Sequence, residues 1–195
     1  MSETGYFSHE TAIIDENVSI GKGTKIWHFS HIMANATIGA DCNIGQNVVV
    51  SPDVVLGDNC KVQNNVSIYS GVICDANVFL GPSMVFTNVI NPRSAVNRRG
   101  QYSKTHVGEG ASIGANATIV CGNDIGSYAF IGAGAVITKF INPYALVVGN
   151  PARQIGWMSR FGQRLHFDKN GLAQCSEASD WYELKGGEVH YLGKK

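Results

Sequence analysis

The chain has 195 residues, with 15 basic and 15 acidic side chains and a formal net charge of zero. A neutral chain of this length predicts a single domain and excludes a broad basic surface for nucleic acid or an anionic membrane. No apolar run is long enough to span a bilayer, and the start, MSETGYFSHETAII, lacks a basic segment followed by an apolar run, so we expect a cytoplasmic protein.

A six-residue period runs through the first part of the chain, because every sixth residue from Ile14 to Phe86 is apolar. The residue two positions before each of these is mostly small or β-branched, as at Val48 and Val66. Alternate residues of a strand share one face, so both series point into a narrow interior. A repeat of six residues is typical of a parallel β-helix.

Turn-forming residues recur three positions after the apolar series, for example Asn47, Asp53 and Gly71. Asn, Asp and Gly tolerate left-handed backbone, so a corner follows each short strand. Three strands and three corners make a triangular coil of about 18 residues, and equivalent residues of successive coils stack at about the 4.8 Å spacing of neighbouring strands. We therefore predict an all-β solenoid of about six coils.

The period stops at Asn88 and resumes at Val107. We predict that the intervening segment, residues 88–104, is a loop extruded from the wall, and loops of this length are usually functional or disordered. Asn88 stands two residues after an inward position and not at the left-handed corner, so turn geometry does not account for it.

A ladder of polar side chains is predicted along one corner. His28, Gln46 and Asn64 lie one coil apart from each other, each two positions after an inward residue. Asn47 and Asn65 already occupy the left-handed positions beside them. Gln46 and Asn64 therefore have no turn requirement and are candidates for ligand binding.

The end of the chain departs from the six-residue period after Ile137. An amphipathic segment from about Gln154 to Leu165 predicts a short helix that caps the solenoid. Alternating apolar residues on both sides of residues 185–187 predict a small β-hairpin. We therefore divide the chain into a β-helix domain, residues 1–140, and a C-terminal cap, residues 141–195.

Several segments resemble a known family. Hexapeptide solenoids with a terminal VVGNPAR turn resemble the acyltransferases of the left-handed parallel β-helix superfamily, over nearly all of residues 10–160. More narrowly, IWHFSHI, IGQNV, VQNNVSIY, GPSMVFTNVINPR and ALVVGNPARQIGWMSR are similar to bacterial nucleotide-sugar N-acetyltransferases that acetylate a 3-amino group. Within this family the resemblance is narrowest to the enzymes that act on UDP-2-acetamido-3-amino-2,3-dideoxy-glucuronate in the synthesis of surface polysaccharide such as lipopolysaccharide.

This resemblance implies a homotrimer with acetyl-CoA in a groove between neighbouring solenoids, and no metal. The residues expected to contact acetyl-CoA are Gly132, Ala133, Gly134, Lys139 and Arg153. Those expected to contact the nucleotide-sugar are His28, His31, Gln46, Asn64, Tyr69 and Arg93. Some related enzymes use a histidine base, whereas the matching region here presents Asn88, whose side chain cannot take a proton. Asn88 is therefore the expected catalytic residue, with the role of orienting the amine or polarising the thioester carbonyl.

Other functions stay open at this stage. A dTDP-linked 3-amino-deoxyhexose is the alternative sugar substrate. A γ-class carbonic anhydrase uses the same solenoid but needs three histidines that converge on zinc, which His28, His31 and His106 are not spaced to supply. A non-catalytic hexapeptide scaffold is a further alternative, and binding of CoA would separate it from the enzyme.

Overall fold

The structure is a computed structural model that describes residues 5–194, so the outermost residues of both predicted domains, 1–4 and 195, lie outside it. The described residues form 24 β-strands and no helix. Three parallel sheets, named A, B and C here in the order in which the chain visits them, form the three walls of a left-handed parallel β-helix. The predicted fold class is therefore confirmed for the solenoid.

Most strands are only two residues long, as expected for a coil with three corners. Sheet A contains β1 (Phe7–Ser8), β4 (Lys25–Ile26), β7 (Asn43–Ile44), β10 (Lys61–Val62), β13 (Phe79–Leu80), β16 (Ser112–Ile113), β18 (Phe130–Ile131), β20 (Ala145–Val148) and β21 (Arg153–Trp157). Sheet B contains β2 (Ile13–Ile14), β5 (His31–Ile32), β8 (Val49–Val50), β11 (Ser67–Ile68), β14 (Val85–Phe86), β17 (Thr118–Ile119) and β19 (Val136–Ile137). Sheet C contains β3 (Ser19–Ile20), β6 (Thr37–Ile38), β9 (Val55–Leu56), β12 (Val72–Cys74) and β15 (Thr105–Val107).

The solenoid has about eight coils, because eight parallel strands, β1 to β20, stack in sheet A. The prediction of about six coils was wrong because the solenoid extends beyond the regular period at both of its ends. The last coil is shorter than the regular repeat, since Phe130 pairs with Leu146 and not with the residue two positions further on. The first coil begins at Phe7, before the apolar series starts.

The interior of the solenoid is almost entirely apolar. From Thr24 to Phe86 both inward series are buried, with Ile44, Val62 and Phe86 at 0% exposure, whereas the inward residues of the first coil are half-buried. The buried hydroxyls within them are satisfied, because Thr24 Oγ1 donates to the Gly39 carbonyl at 2.8 Å and Ser30 Oγ donates to the Gly45 carbonyl at 2.7 Å. Burial of such a continuous column of side chains supplies the main stabilisation of each coil.

Left-handed backbone marks the corners. Asn47 has φ of 56° and Asn65 has φ of 61°, as predicted from residue type. Phe29, Ser83 and Tyr128 adopt the same conformation, with φ of 58°, 60° and 58°. The corner geometry is therefore imposed by the coil even where the residue type disfavours it.

The extruded loop is confirmed. Ser67 pairs with Val85 in the next regular coil, whereas Val85 pairs with Thr118, so the coil that contains the loop is almost twice as long as a regular one. The additional residues leave the wall between β14 and β15, and residues 88–104 contain no strand. The solenoid register resumes beyond the loop as if it were uninterrupted.

The predicted C-terminal helix was wrong. Residues Arg153–Trp157 form β21, which pairs antiparallel with β20 and ends sheet A. The free edge of β20 offers unpaired backbone groups, and pairing with them outweighs a weak helical pattern that Gly156 and Gly162 interrupt. The hairpin prediction was correct, since β23 (Asp180–Lys185) and β24 (Glu188–Lys194) pair antiparallel and β22 (Leu172–Gln174) adds a third strand.

The hairpin packs on the solenoid through an aromatic cluster. Tyr128 and Tyr144 stack at 5.4 Å between ring centroids, and Tyr144 meets Tyr182 edge-on at 5.9 Å. The Arg160 guanidinium lies over the ring of Tyr191 at 3.8 Å. These contacts account for the tyrosine at the left-handed corner of residue 128. The division at residue 140 stays a prediction.

No helix among residues 5–194 is long and apolar enough to cross a membrane. All five cysteines are free and buried, and burial raises the pKa of the Cys74 thiol.

Candidate functional site

Two of the three edges of the solenoid carry most of the predicted site residues, and the others, His31 and Arg153, lie in strands. The turns that join sheet A to sheet B form one edge, which we name the A–B edge: residues 9–12, 27–30, 45–48, 63–66, 81–84, 114–117 and 132–135. The turns that join sheet B to sheet C form a second edge, which we name the B–C edge: residues 15–18, 33–36, 51–54, 69–71, 87–104, 120–124 and 138–140. Because each sheet is one wall of the triangle, these edges are separate vertices of the same coil.

A surface cleft of about 290 Å³ lies on the A–B edge in the first half of the solenoid. It is lined by Trp27, His28, Asn43, Gly45, Gln46, Val62, Gln63 and Asn64. The structure thus brings together the three side chains of the predicted polar ladder, at residues 28, 46 and 64.

Hydrogen bonds hold the amides of this cleft in place. The Gln46 backbone N–H donates to Asn64 Oδ1 at 2.9 Å. The Trp27 indole Nε1–H donates to Asn43 Oδ1 at 2.9 Å. Both carbonyl oxygens are occupied, so the two amide NH2 groups are left as donors.

An aromatic cluster adjoins the cleft. The imidazole of His28 stacks on that of His9, with centroids 3.5 Å apart and an angle of 26° between the planes. Trp27 contacts Phe7 at 5.4 Å between ring centroids. These contacts restrict the rings to the conformations in which they line the cleft.

The sequence did not assign a role to four of the residues in and beside this cleft: His9, Trp27, Asn43 and Gln63. They occupy different positions of the repeat from the ladder: Trp27 and Gln63 directly precede ladder residues in the chain, whereas His9 meets the ladder from the neighbouring coil. One of the four could have been noticed in the sequence. Asn43 is an outward position that pairs with Lys25 and Lys61 of the neighbouring coils, so an amide stands there between two charged residues.

His31 and Tyr69 lie outside the cleft. His31 is on the outer face of sheet B, where its Nε2 is 2.9 Å from Asp15 Oδ1. Tyr69 is exposed on the B–C edge. The predicted contact of both residues with the nucleotide-sugar therefore requires a ligand that reaches beyond the A–B edge.

Asn88 lies at the base of the extruded loop on the B–C edge. Its main-chain carbonyl accepts a hydrogen bond from the Ser103 N–H at 2.9 Å, which closes the loop. Its half-buried side chain makes no hydrogen bond within residues 5–194. The amide is therefore available to a ligand, and its predicted catalytic role stays a prediction.

The loop is strongly basic. It carries Arg93, Arg98, Arg99 and Lys104, which are four of the 15 basic residues, and none of the 15 acidic residues. The remainder of the chain therefore has a net charge of −4. Within residues 5–194 no carboxylate pairs with these cations, and the exposed Arg93 side chain is open to an anionic ligand.

The residues predicted to contact acetyl-CoA lie in the last coils. Gly132 donates its N–H to the Val147 carbonyl at 2.8 Å, and a Cβ at this position would be 2.7 Å from Val148 Cγ1, so any other residue there would require the Val148 side chain to shift. Gly134 has φ of 69°, and no atom lies within 4 Å of a Cβ built there, so its surface is open. Ala133 and Gly134 are exposed on the A–B edge.

A second, smaller cavity of about 110 Å³ adjoins these coils. It is lined by Lys139, Phe140, Ile141, Asn142, Val147, Ala152 and Gln154. Arg153 is the first residue of β21 and directly follows the lining residue Ala152. Its Nη1 donates to the Ala152 carbonyl at 3.0 Å. Lys139 and Arg153 are both exposed, which places two cations beside one cavity.

The histidines do not form a metal site. His31 is bound to Asp15, and His106 Nε2 is 2.9 Å from Asp75 Oδ1 on the outer face of sheet C. Within residues 5–194 no group of three or more His, Cys, Asp or Glu side chains is arranged to hold a metal ion.

Comparisons with known proteins agree with this architecture. Residues 17–52 match the bacterial transferase hexapeptide (six repeats), and residues 35–70 and 104–139 match the hexapeptide repeat of succinyl-transferase. The chain is 45% identical over 187 residues, 95% of either protein, to dTDP-3-amino-3,6-dideoxy-alpha-D-galactopyranose 3-N-acetyltransferase from Aneurinibacillus thermoaerophilus. The chain belongs to the hexapeptide-repeat nucleotide-sugar N-acetyltransferases. It is an acetyl-CoA-dependent sugar N-acetyltransferase. This excludes the two alternative functions, a non-catalytic scaffold and a carbonic anhydrase.

Solved structures show the same fold. The acetyltransferase domain of PglB from Neisseria gonorrhoeae is 25% identical with a TM-score of 0.51, and the match covers 77% of this chain and 57% of that one. PerB from Caulobacter crescentus, solved with CoA and GDP-perosamine, is 23% identical with a TM-score of 0.50 and coverages of 78% and 58%. The chain thus spans less than two thirds of either solved chain, and these similarities show the fold.

Proposed function

We propose that this enzyme transfers an acetyl group from acetyl-CoA to the 3-amino group of a dTDP-linked 3-amino-3,6-dideoxyhexose. The observation that carries the proposal is the 45% identity to the dTDP-sugar 3-N-acetyltransferase of A. thermoaerophilus, which extends over 95% of both chains. The sequence had favoured a UDP-linked 2-acetamido-3-amino glucuronic acid, with the dTDP-sugar as the alternative. This similarity reverses that order.

The proposed reaction needs little acid–base assistance. The neutral sugar amine attacks the thioester carbonyl carbon, so a C–N bond forms and the C–S bond of acetyl-CoA breaks. The ammonium proton of the adduct passes to the departing CoA thiolate, which leaves as the thiol. A deprotonated amine is already a good nucleophile, so positioning contributes more than a strong base.

Asn88 is the residue to which we assign this positioning. Its amide has no partner within residues 5–194 and lies where the wall opens into the loop. The NH2 group can donate to the oxygen that gains negative charge, or the carbonyl can accept from the amine. Neither role requires a proton to be removed by the side chain.

The loop and the last coils supply the positive charge that both substrates need. A nucleotide-sugar carries a diphosphate, and Arg93 with the other loop cations has no carboxylate partner within residues 5–194 to compete with it. CoA carries phosphates as well, and Lys139 and Arg153 lie beside one cavity near the open surface of Gly134. We assign the loop to the nucleotide-sugar and the last coils to acetyl-CoA.

We further propose a homotrimer in which acetyl-CoA lies between neighbouring solenoids. The support is geometric, because the proposed ligand-binding residues occupy two edges of one solenoid that a single compact ligand cannot reach together. Cyclic symmetry would set the A–B edge of one chain beside the B–C edge of the next and give three equal sites. We place the enzyme in the cytoplasm, in a pathway that makes surface polysaccharide.

An acetyl-transfer assay across a panel of amino sugars tests the proposal. The panel contains dTDP-linked 3-amino-3,6-dideoxyhexoses, a UDP-linked 3-amino uronic acid and a dTDP-linked 4-amino sugar, with CoA release as the readout. We expect the highest kcat/KM with a dTDP-linked 3-amino sugar. Higher turnover of the UDP-linked uronic acid would contradict this choice of sugar and nucleotide and leave the family assignment intact.

A further inference from the structure

The cleft on the A–B edge has a neutral, amide-rich lining. Its eight residues include four side-chain amides, at positions 43, 46, 63 and 64, and no Lys, Arg, Asp or Glu. A diphosphate or a carboxylate in such a site would lose its hydration without gaining a charged partner. The cleft therefore suits an uncharged part of the substrate that forms several hydrogen bonds.

One wall of the cleft is a flat aromatic surface. The Trp27 ring is 37% exposed, and the bond from its Nε1–H to Asn43 together with the contact to Phe7 fixes its orientation. The His28 ring is parallel to it within 6°, with centroids 6.4 Å apart. Fixed, exposed aromatic faces are surfaces on which nucleobases stack.

The amides supply both donors and acceptors. Asn43 and Asn64 have their carbonyl oxygens occupied and present NH2 donors. The side-chain amides of Gln46 and Gln63 make no hydrogen bond within residues 5–194, so each can donate and accept at once. A planar group with a C=O beside an N–H is the partner that such an amide pairs with in two parallel hydrogen bonds.

Thymine and uracil have these properties, because each is an uncharged planar ring with the edge O2, N3–H and O4. We propose that the cleft on the A–B edge binds the pyrimidine base of the nucleotide-sugar. The base lies on Trp27, and its N3–H and O4 pair with the amide of Gln46 or Gln63. This inference rests on the proposed function and names the part of the substrate that this cleft recognises.

Calorimetric titration with dTDP tests the inference without the need for catalysis. The proteins compared are the wild type, Trp27→Ala, Gln46→Leu and the control Phe161→Ala, which truncates an exposed aromatic residue far from the cleft. We expect Trp27→Ala to weaken dTDP binding by about 10- to 100-fold, the scale for loss of one stacked base, and Gln46→Leu by about tenfold. Phe161→Ala should bind dTDP as the wild type does.

Two further probes separate the base from the other parts of the ligands. Inorganic pyrophosphate should bind the wild type and Trp27→Ala equally, because it has no base. CoA should also bind both equally. If Trp27→Ala keeps the affinity for dTDP within about twofold, the inference is wrong. If it instead weakens CoA binding, the cleft holds the adenine of CoA and the inference is likewise wrong.

The result can be interpreted even if Trp27→Ala does not fold. Gln46 is exposed and its side chain makes no hydrogen bond within the described part of the chain, so Gln46→Leu should retain the wild-type melting temperature. Unchanged dTDP affinity in folded Gln46→Leu together with folded Gln63→Leu would overturn the assignment of the base edge. Failure of the wild type to acetylate any nucleotide-linked amine would contradict the proposed function instead, because dTDP affinity is measured separately.

Discussion

The A–B and B–C edges belong to the same solenoid and have the same repeat, yet they present different chemistry. The A–B edge keeps its period throughout and forms an uncharged cleft of stacked amides and aromatic rings. The B–C edge is interrupted by the extruded loop and carries Asn88 and a cluster of basic side chains. A regular edge positions side chains on a fixed grid, whereas an interrupted edge can place charge and a reactive group away from the wall.

The largest expected effect is on kcat and comes from the Asn88 side-chain amide, which the B–C edge carries. If Asn88 acts on the transition state, Asn88→Ala should lower kcat by about a hundredfold, the scale for loss of one such hydrogen-bond donor. Steady-state kinetics with both substrates measures this, and both Kd values should stay near those of the wild type.

Asn170→Ala is the matched control for that substitution, because it removes an exposed asparagine amide in the C-terminal cap, far from the loop. Near-normal kcat in Asn88→Ala would assign Asn88 to closure of the loop. In that case the side chain at the reacting amine must be sought among the other residues of the two edges.

Mixing of two variants tests whether one site uses edges from different chains. Asn88→Ala damages only the B–C edge, and the double variant Trp27→Ala/Gln46→Leu damages only the A–B edge. Assayed with the nucleotide-sugar far below its KM, mixed trimers formed from equal amounts should regain about a quarter of wild-type activity, the fraction of sites that random assortment builds from two intact edges. Light scattering should give the mass of three chains. No recovery of activity would show that both edges act within one chain.

A smaller effect is expected from the basic loop. Arg93→Ala should raise KM for the nucleotide-sugar by about tenfold, because a charge-assisted hydrogen bond to the diphosphate is lost, and leave KM for acetyl-CoA unchanged. Lys169→Ala, which removes an exposed cation of the C-terminal cap, should change neither constant. An equal rise in both KM values for Arg93→Ala would indicate general electrostatic attraction and no specific contact.

The smallest effect concerns the stability of the regular edge. Phe29 adopts φ of 58° although a bulky side chain disfavours this conformation, so Phe29→Gly should raise the free energy of unfolding by about 1 kcal/mol. Asn47→Gly, at the same corner of the next coil, should change it much less, since asparagine already tolerates the left-handed region. Thermal unfolding measures both. A lower melting temperature for Phe29→Gly would mean that contacts of the ring outweigh the backbone strain.

Much of the solenoid was predictable from the sequence because its interactions repeat locally. An inward residue such as Ile44 contacts neighbours in its own coil and in the two adjacent coils, so the period alone specifies the register. The corner asparagines and the extruded loop follow from the same repeat. Stacking of equivalent positions also brought His28, Gln46 and Asn64 into one cleft.

Other features depended on contacts that the repeat does not encode. Residues Arg153–Trp157 became a strand because β20 offered them a free edge, which no local pattern reveals. The bond from Trp27 to Asn43 joins different positions of neighbouring coils. The pairing of His31 with Asp15 likewise depends on which side chains face each other on the outer wall.

The sequence by itself thus determined the coil, its interior, its corners and the place where the wall opens, because each is a property of the six-residue repeat. Only the tertiary structure decided which side chains line the cleft and that the proposed site residues lie on two separate edges. The physical reason is that a repeat specifies the direction in which each side chain points, whereas the grouping of side chains around a ligand depends on how whole walls are placed in space.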